Sequence, residues 1–512
     1  VNPSTLTIGC GLVLGVDAIP VQVEATTQHA NDGTPRLLGL VDTCVREAYH
    51  RVLQAFAALD LAPPRGVTTV NFAPAALRKH GSGFDLPLAL ALLGAAGHFP
   101  PARAERLFAF GEVGLKGQVL PARGAVSVAL AARAANANAL LCSHADAELC
   151  RMVGDLPIHG LHNLREAVDW LAGRSSPALP PATPPVELPA IPDLADIRGH
   201  STPKRALLVA AAGGHNLLFC GPPGSGKSAL LRRLPGILPC PVLAEQLAIL
   251  QVHAAAGLPL PPAGRRPLRA PHHTSSTASL LGGGPDLRPG EVTLAHHGVL
   301  FLDELPEFRR DALEALRQPL EDAVVTVGRA QKTIAMPAAF LLVAAMNPCP
   351  CGYLGHRHRP CRCTPPAVQR YRSRLSGPLL DRLDLQVEVP ALEPKELRGA
   401  EDADGSTAAL ADRVQVARAR QLSRRRQQQG LPNARLQDRG LLQACAATEL
   451  ALTALDEVLR RHHHSGRARV RLLRIARTLA DLDDRDQVAD GDILEAAMLR
   501  ESASIQLVRY GH

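Results

Sequence analysis

The chain has 512 residues, 46% of them hydrophobic and only 3% aromatic, a length beyond what one hydrophobic core organises, so about three domains are expected, packed mainly through alanine, leucine and valine. A formal charge of +8, carried mostly by arginine, permits a nucleic-acid partner without demanding one. No apolar run approaches the ~20 residues that cross a bilayer, no secretory leader is expected, and in the cytoplasmic setting that follows the 11 cysteines should be thiols or metal ligands, not disulfides.

Residues 1–173 read as an α/β domain in which strand-like segments 21–25 and 67–72 alternate with helical segments 42–58 and 85–96. Stretches 79–92 and 111–121 resemble the proteolytic domain of Lon peptidase, which hydrolyses peptides through a Ser-Lys dyad. Matching the dyad onto this chain puts Gly83 at the nucleophile position and Val126 at the lysine position. Neither can do the chemistry, and Ser82, one residue away, has no identifiable lysine partner. The expectation is a degenerate Lon-protease-like fold that lacks the Ser-Lys dyad and serves as a structural or binding module.

Proline recurs from Pro177 to Pro192, a density that blocks helix and sheet ladders and marks residues 174–193 as an extended linker. An alanine-rich helix over 203–212 leads to the apolar run 217–220 and then to Gly221, Pro222, Pro223, Gly224, Ser225, Gly226, Lys227 and Ser228. This Gly-x-x-x-x-Gly-Lys-Ser stretch between a buried strand and a helix is a phosphate-binding loop. Its glycines free the backbone to turn N–H groups onto phosphate oxygens at a helix N-terminus. Lys227 is expected on the β and γ phosphates of ATP, and Ser228 on Mg²⁺.

A second buried strand, 299–302, ends in Asp303 and Glu304. At the carboxyl edge of a parallel sheet these carboxylates lie beside the phosphate loop, Asp303 holding Mg²⁺ and Glu304 activating the attacking water. A third strand, 340–346, ends at Asn347, placed to meet the γ phosphate as the residue called sensor 1. Three strand-end sites in this order predict an AAA+ core with a parallel sheet over residues 194–392.

The segments 269–274 (RAPHHT), 281–284 (LGGG), 288–292 (RPGEV), 316–321 (LRQPLE) and 347–352 (NPCPCG) resemble the YifB/ComM group of magnesium-chelatase-like AAA+ ATPases, and the likeness runs over almost the whole chain. It implies a homo-hexameric helicase acting on single-stranded and branched DNA, with recombination proteins nearby, during natural transformation. Two insertions are expected to face the ring's channel: the basic, glycine-rich stretch 265–290 and a hairpin over 324–335 whose tip carries Arg329 and Lys332. Contacts from these side chains to phosphates would be independent of sequence.

Cys349 and Cys351, followed by Cys361 and Cys363 in a proline-rich loop, suit a tetrahedral thiolate site for structural Zn²⁺, with His356 and His358 as substitutes. Residues 376–385 resemble the arginine-finger box of the magnesium-chelatase and MCM clade, with Arg382 reaching the neighbouring subunit's γ phosphate and Arg374 second in line. An acidic linker over 393–410 precedes a C-terminal helical lid, 411–512. In the lid Arg467 resembles sensor 2 acting on its own subunit's nucleotide, with Arg471 second, and the basic run 424–426 is either a solvated face or a DNA contact. Two other functions compete: a chelatase-type ATPase that remodels a protein during metal insertion, disfavoured here by the N-terminal domain, and a Lon-type peptidase, disfavoured by the missing dyad.

Overall fold

β1 (Leu6–Leu14) and β2 (Asp17–Gln28) form an antiparallel hairpin running from Leu6 opposite Ala25 to Leu14 opposite Asp17, and the alternation of inward and outward residues that sets a strand's two faces shows in the buried Val21, Val23 and Ala25 of β2. The computed structural model describes residues 5–28, 35–175, 191–262, 264–284, 287–329, 332–393, 405–424, 432–461 and 466–500. Around the hairpin a mixed sheet grows from β3 (Arg36–Leu38), β4 (Val67–Ala73), β5 (Leu107–Phe110), β8 (Ala139–Ser143) and β9 (Ile158–Leu161), in the order β3-β4-β2-β1-β5-β8-β9. A short ribbon, β6 (Glu112–Val113) with β7 (Val119–Leu120), stands apart from it.

Helices α1 (Thr43–Ala58), α2 (Asp85–Ala95), α3 (Ala125–Ala134), α4 (His144–Arg151) and α5 (Leu164–Leu171) cover the sheet. Asp42 caps α1 by accepting the Val45 N–H at 3.0 Å. Helix α2 is buried from Asp85 through Gly94, as an element apolar on every side must be. At the dyad positions, a Cβ on Gly83 would lie 2.1 Å from the Phe110 ring, and Val126 is buried in α3. Lys79, the lysine nearest Ser82 in sequence, is fully buried and donates to the Phe72, Gly39 and Pro74 carbonyls, so its amine is committed to the backbone.

The second sheet consists of β10 (Leu217–Cys220), β11 (Leu268–Arg269), β14 (Val299–Leu302), β17 (Leu341–Met346) and β18 (Leu385–Glu388) in the order β11-β14-β17-β10-β18, with every pairing parallel. Strands β10, β14 and β17 are buried at every position, because helices cover both faces of a parallel sheet. Among these are α6 (Ser201–Gly213) and α7 (Lys227–Ile237), whereas α8 (Leu243–Ala256) packs on α3 of the first domain. The stretch 265–290 is only partly an insertion. Leu268 and Arg269 form the sheet's edge strand, and beyond them come α9 (Thr277–Leu281) and the ribbon of β12 (Gly282–Gly283) with β13 (Arg288–Pro289). The hairpin is β15 (Val324–Arg329) with β16 (Lys332–Pro337), and Arg329 pairs with Lys332 at its tip.

Helices α15 (Thr407–Arg424), α16 (Asp438–Cys445), α17 (Glu449–Arg461), α18 (Gly466–Leu482) and α19 (Asp490–Arg500) pack Val414, Leu472, Ile475 and Leu479 into the core of α6 and α7. The helical region begins inside the stretch read as linker. Thr407 donates its N–H (2.7 Å) and hydroxyl (3.0 Å) to Asp193, tying α15 to the start of the ATPase core. Arg424 is bonded to the buried Asp481, and Arg425 and Arg426 lie outside the described residues.

The two sheets' domains meet at a small apolar cluster of Val16, Val252, Ala255, Leu294 and Met336. The β1–β2 turn supplies Val16, whose carbonyl accepts from Gln251 at 3.0 Å. A Cβ on Gly15 (φ +64°) would lie 3.1 Å from Ile334 in the hairpin. No helix among the described residues is long and apolar enough to cross a membrane.

Candidate nucleotide site

The loop between β10 and α7 is shaped by what cannot be there. A Cβ on Gly221 would sit 2.1 Å from the Val389 carbonyl oxygen, and Gly226, the residue before α7, holds φ +88° in the left-handed region that side chains avoid. Ser225 is buried and donates its N–H to the Pro222 carbonyl at 3.3 Å, which closes the turn over Pro223 and Gly224.

Lys227 opens α7 with its side chain buried. Its ammonium donates to the Gly221 and Pro222 carbonyls at 2.8 Å each and to Asn347 Oδ1 at 3.3 Å. Burial pulls its pKa below the usual lysine value, and the charges of Cys220, Asp303 and Glu304 oppose that shift. The next residue, Ser228, donates its hydroxyl to Asp303 Oδ2 at 2.7 Å. One lysine and one serine thus join all three strand ends, the outcome expected when β10, β14 and β17 lie side by side with parallel polarity.

Asp303 and Glu304 part company at once. Asp303 Oδ1 accepts the Glu304 N–H at 3.0 Å, while Glu304 itself has φ +52° and ψ 46°, a sharp left-handed turn that separates two consecutive carboxylates. Asp303 goes to Ser228. Glu304 goes to His273, whose Nδ1 lies 3.3 Å from Oε2. His273 is a residue to which sequence reasoning gave no role. The available signal was its place four residues past β11, the strand that pairs with β14.

The arginines gather elsewhere. Arg382 donates to the Pro378 carbonyl at 2.6 Å and is ion-paired with Glu321; Asp384 pairs instead with His215 at 3.6 Å. Glu321 is held below its usual pKa first by the Arg382 hydrogen bond and further by the charges of Arg382, Arg467 and Arg317. Arg467 is exposed near the start of α18, and its charge reaches Glu321 only as a smaller influence than that of Arg382. Arg374 is paired with Glu307 at 2.6 Å and Arg471 with Asp381 at 3.8 Å. The side chains of Arg329 and Lys332 lie outside the described residues. The four cysteines converge, with all four Sγ atoms within 4.8 Å of one another.

A parallel sheet in the order β11-β14-β17-β10-β18, a phosphate loop after β10, paired carboxylates after β14 and an asparagine after β17 define an ATPase of the AAA+ class. Family models described as "Magnesium chelatase, subunit ChlI", "Subunit ChlI of Mg-chelatase" and "Magnesium chelatase, subunit ChlI C-terminal" match residues 193–397, 23–146 and 404–500. The chain is 39% identical over 499 residues to the uncharacterized protein YifB of Salmonella typhimurium, covering 95% of each chain. It is 38% identical over 494 residues to the competence protein ComM of Haemophilus influenzae, covering 94% of this chain and 95% of that one. A more distant likeness, 25% over 203 residues, reaches the DNA replication licensing factor Mcm2 of Drosophila melanogaster, covering 37% of this chain and 20% of Mcm2. The chain belongs to the YifB/ComM family of magnesium-chelatase-like AAA+ ATPases. The N-terminal region does not weigh against a chelatase-type role, since a model described as a Mg-chelatase subunit matches it.

Proposed function

We propose that the protein is an ATP-driven DNA motor, a homo-hexameric helicase or branch-migration factor that works in recombination when single-stranded DNA is taken up. One observation carries the reading: Lys227, Ser228, Asp303 and Asn347 are joined by hydrogen bonds, while Arg382 pairs with Glu321 instead. On this reading the phosphate site is completed by Arg382 of a neighbouring subunit, so hydrolysis requires assembly. The names of two relatives, a competence protein and a DNA replication licensing factor, point the motor at DNA.

In this mechanism Lys227 exchanges its loop carbonyls for β and γ phosphate oxygens. Ser228 Oγ and Asp303 Oδ2, hard oxygen donors 2.7 Å apart, fit the donor set of Mg²⁺, which when bound neutralises charge on the β and γ phosphates. Glu304 takes the proton of the attacking water, and Asn347 orients that water against the γ phosphate. Arg382 stabilises the transition-state charge of the adjoining subunit's ATP, and Arg467 acts on the nucleotide of its own subunit. The N-terminal domain is a Lon-like fold kept for structure or binding, and the helices from α15 onward act as the lid. The hairpin tip, Arg329 and Lys332, tracks phosphates in the channel.

The test is the ATPase rate with and without single-stranded or forked DNA, run beside displacement of a labelled strand. Stimulation together with displacement supports the motor. Neither effect, under conditions where the ring assembles, sinks it, and turnover raised only by a protein partner selects the chelatase-type reading that the family models also support.

A further inference from the structure

We propose that Cys349, Cys351, Cys361 and Cys363 hold one zinc ion as a tetrathiolate, and that this ion braces the phosphate loop and the Asn347 strand end. Zn–S bonds of about 2.3 Å at tetrahedral angles place sulfurs about 3.8 Å apart. The Sγ atoms of Cys349 and Cys351 are 3.4 Å apart, and Cys361 Sγ lies 3.6 Å from each of them. Those separations are the edges of a compact polyhedron, and all are far longer than the ~2.05 Å of a disulfide.

The backbone is arranged for thiolates. The Cys351 N–H donates to Cys363 Sγ and the Cys363 N–H to Cys361 Sγ, each at 3.4 Å, and such donors stabilise charged sulfur around a metal. The segment 348–364 contains neither helix nor strand. Among its residues Cys349 is a buried apolar anchor while Cys351, Cys361 and Cys363 are only partly covered, so little apolar burial fixes the shape that brings four thiols together. Four soft donors at tetrahedral spacing without carboxylate among them select zinc over magnesium or calcium.

The position of the cluster gives it a use beyond its own loop. Cys349 follows Asn347 by two residues. The intervening Pro348 carbonyl accepts from Arg372 Nε at 3.2 Å and Nη2 at 3.1 Å. Gly352, whose N–H donates to the Cys349 carbonyl at 2.9 Å, packs so tightly on the phosphate loop that a Cβ would lie 2.4 Å from Pro223 Cδ. A metal that fixes Cys349 and Cys351 therefore fixes what lies on both sides of them: the sensor asparagine that reaches Lys227, and the surface on which Pro223 rests. Losing it frees both walls of the nucleotide site.

The metal claim stands by itself, whereas the bracing claim rests on the nucleotide-binding reading above, and the experiment separates them. Elemental analysis of the purified full-length chain should find one zinc per chain. Cys361→Ser and Cys363→Ser should each lower that content at least tenfold, and Cys240→Ser, an exposed thiol elsewhere, should leave it intact. Protein grown with cobalt should show the visible absorption of a tetrahedral all-sulfur site, a readout on unmutated protein that holds even where a serine variant does not fold. Absence of zinc from the wild type, unchanged zinc in both variants, or an octahedral cobalt spectrum each overturns the site. Zinc stripped from the wild type with a mercurial reagent and then restored should weaken and recover binding of a fluorescent ATP analogue by tenfold or more. Unchanged affinity overturns the brace while leaving the metal in place, and no analogue binding with zinc present overturns the nucleotide-site reading.

Discussion

Replacing His273 with alanine removes the side chain that lies 3.3 Å from Glu304 Oε2. The pair is screened, His273 being 31% and Glu304 54% exposed, so its worth is at most about 1 kcal/mol. As a difference between two orientations of Glu304, ~1 kcal/mol is about a fivefold shift in population. His273 therefore restrains the proposed base only lightly, and His273→Ala should raise DNA-free turnover, by no more than about fivefold. Nucleotide affinity should be untouched, because His273 is not among the partners of Lys227, Ser228 or Asp303. The assay is steady-state phosphate release without DNA, paired with equilibrium binding of an ATP analogue. A fall of tenfold or more in turnover at unchanged affinity would refute the reasoning, since it would mean that His273 takes part in the chemistry and does not merely hold Glu304 aside.

Three further outcomes follow from other contacts. Mixing Lys227→Ala with Arg382→Ala protein should restore part of the ATPase activity that each lacks, by pairing an intact phosphate site with an intact guanidinium; no rescue at any ratio would put Arg382 to work inside its own subunit. His296 is buried, accepts the Ala339 N–H at 3.0 Å, and has its pKa pulled down to about 3, first by burial and then by His297 and Arg435. Its folded value lies below the unfolded one, so its contribution is complete above pH ~6.5 and is lost as pH falls toward ~3, at about 1.4 kcal/mol per unit. Urea denaturation at descending pH should show that slope in the wild type and a shallower one in His296→Gln; equal slopes would contradict it. Asp481→Ala should cost about 3–5 kcal/mol in the same measurement, because it strands the fully buried Arg477 that Asp481 pairs at 3.0 Å, and a loss under ~1 kcal/mol would show that the Ala444 and Asp486 carbonyls suffice for that cation.

The nucleotide site was legible because each of its parts is local. The runs 217–220, 299–302 and 341–346 are apolar at every position and end in the residues that matter, and a parallel sheet brings such ends to one edge by construction. The thiol cluster was legible in its paired spacing. What the sequence hid depends on distance along the chain. Glu321 meets Arg382 from 61 residues away, a separation that no local pattern reveals. Strand β11 is two residues long, too short for any periodicity, so an element of the core sheet was absorbed into an insertion. The start of α15 was missed because the Thr407–Asp193 contact, which fixes it, spans 214 residues.

The cluster joining the β1–β2 turn to α8 and the hairpin bears on how such a protein can change over generations. In the N-terminal domain Val16 and Gly15 sit against Met336 and Ile334 of the second domain. An apolar plug of this kind cannot drift as freely as an exposed position, because any polar replacement weakens the folding of both partners at once. The first domain is thereby held as a keystone: parting it from the second would leave Val252, Ala255 and Met336 facing water, so each domain serves as a wall of the other.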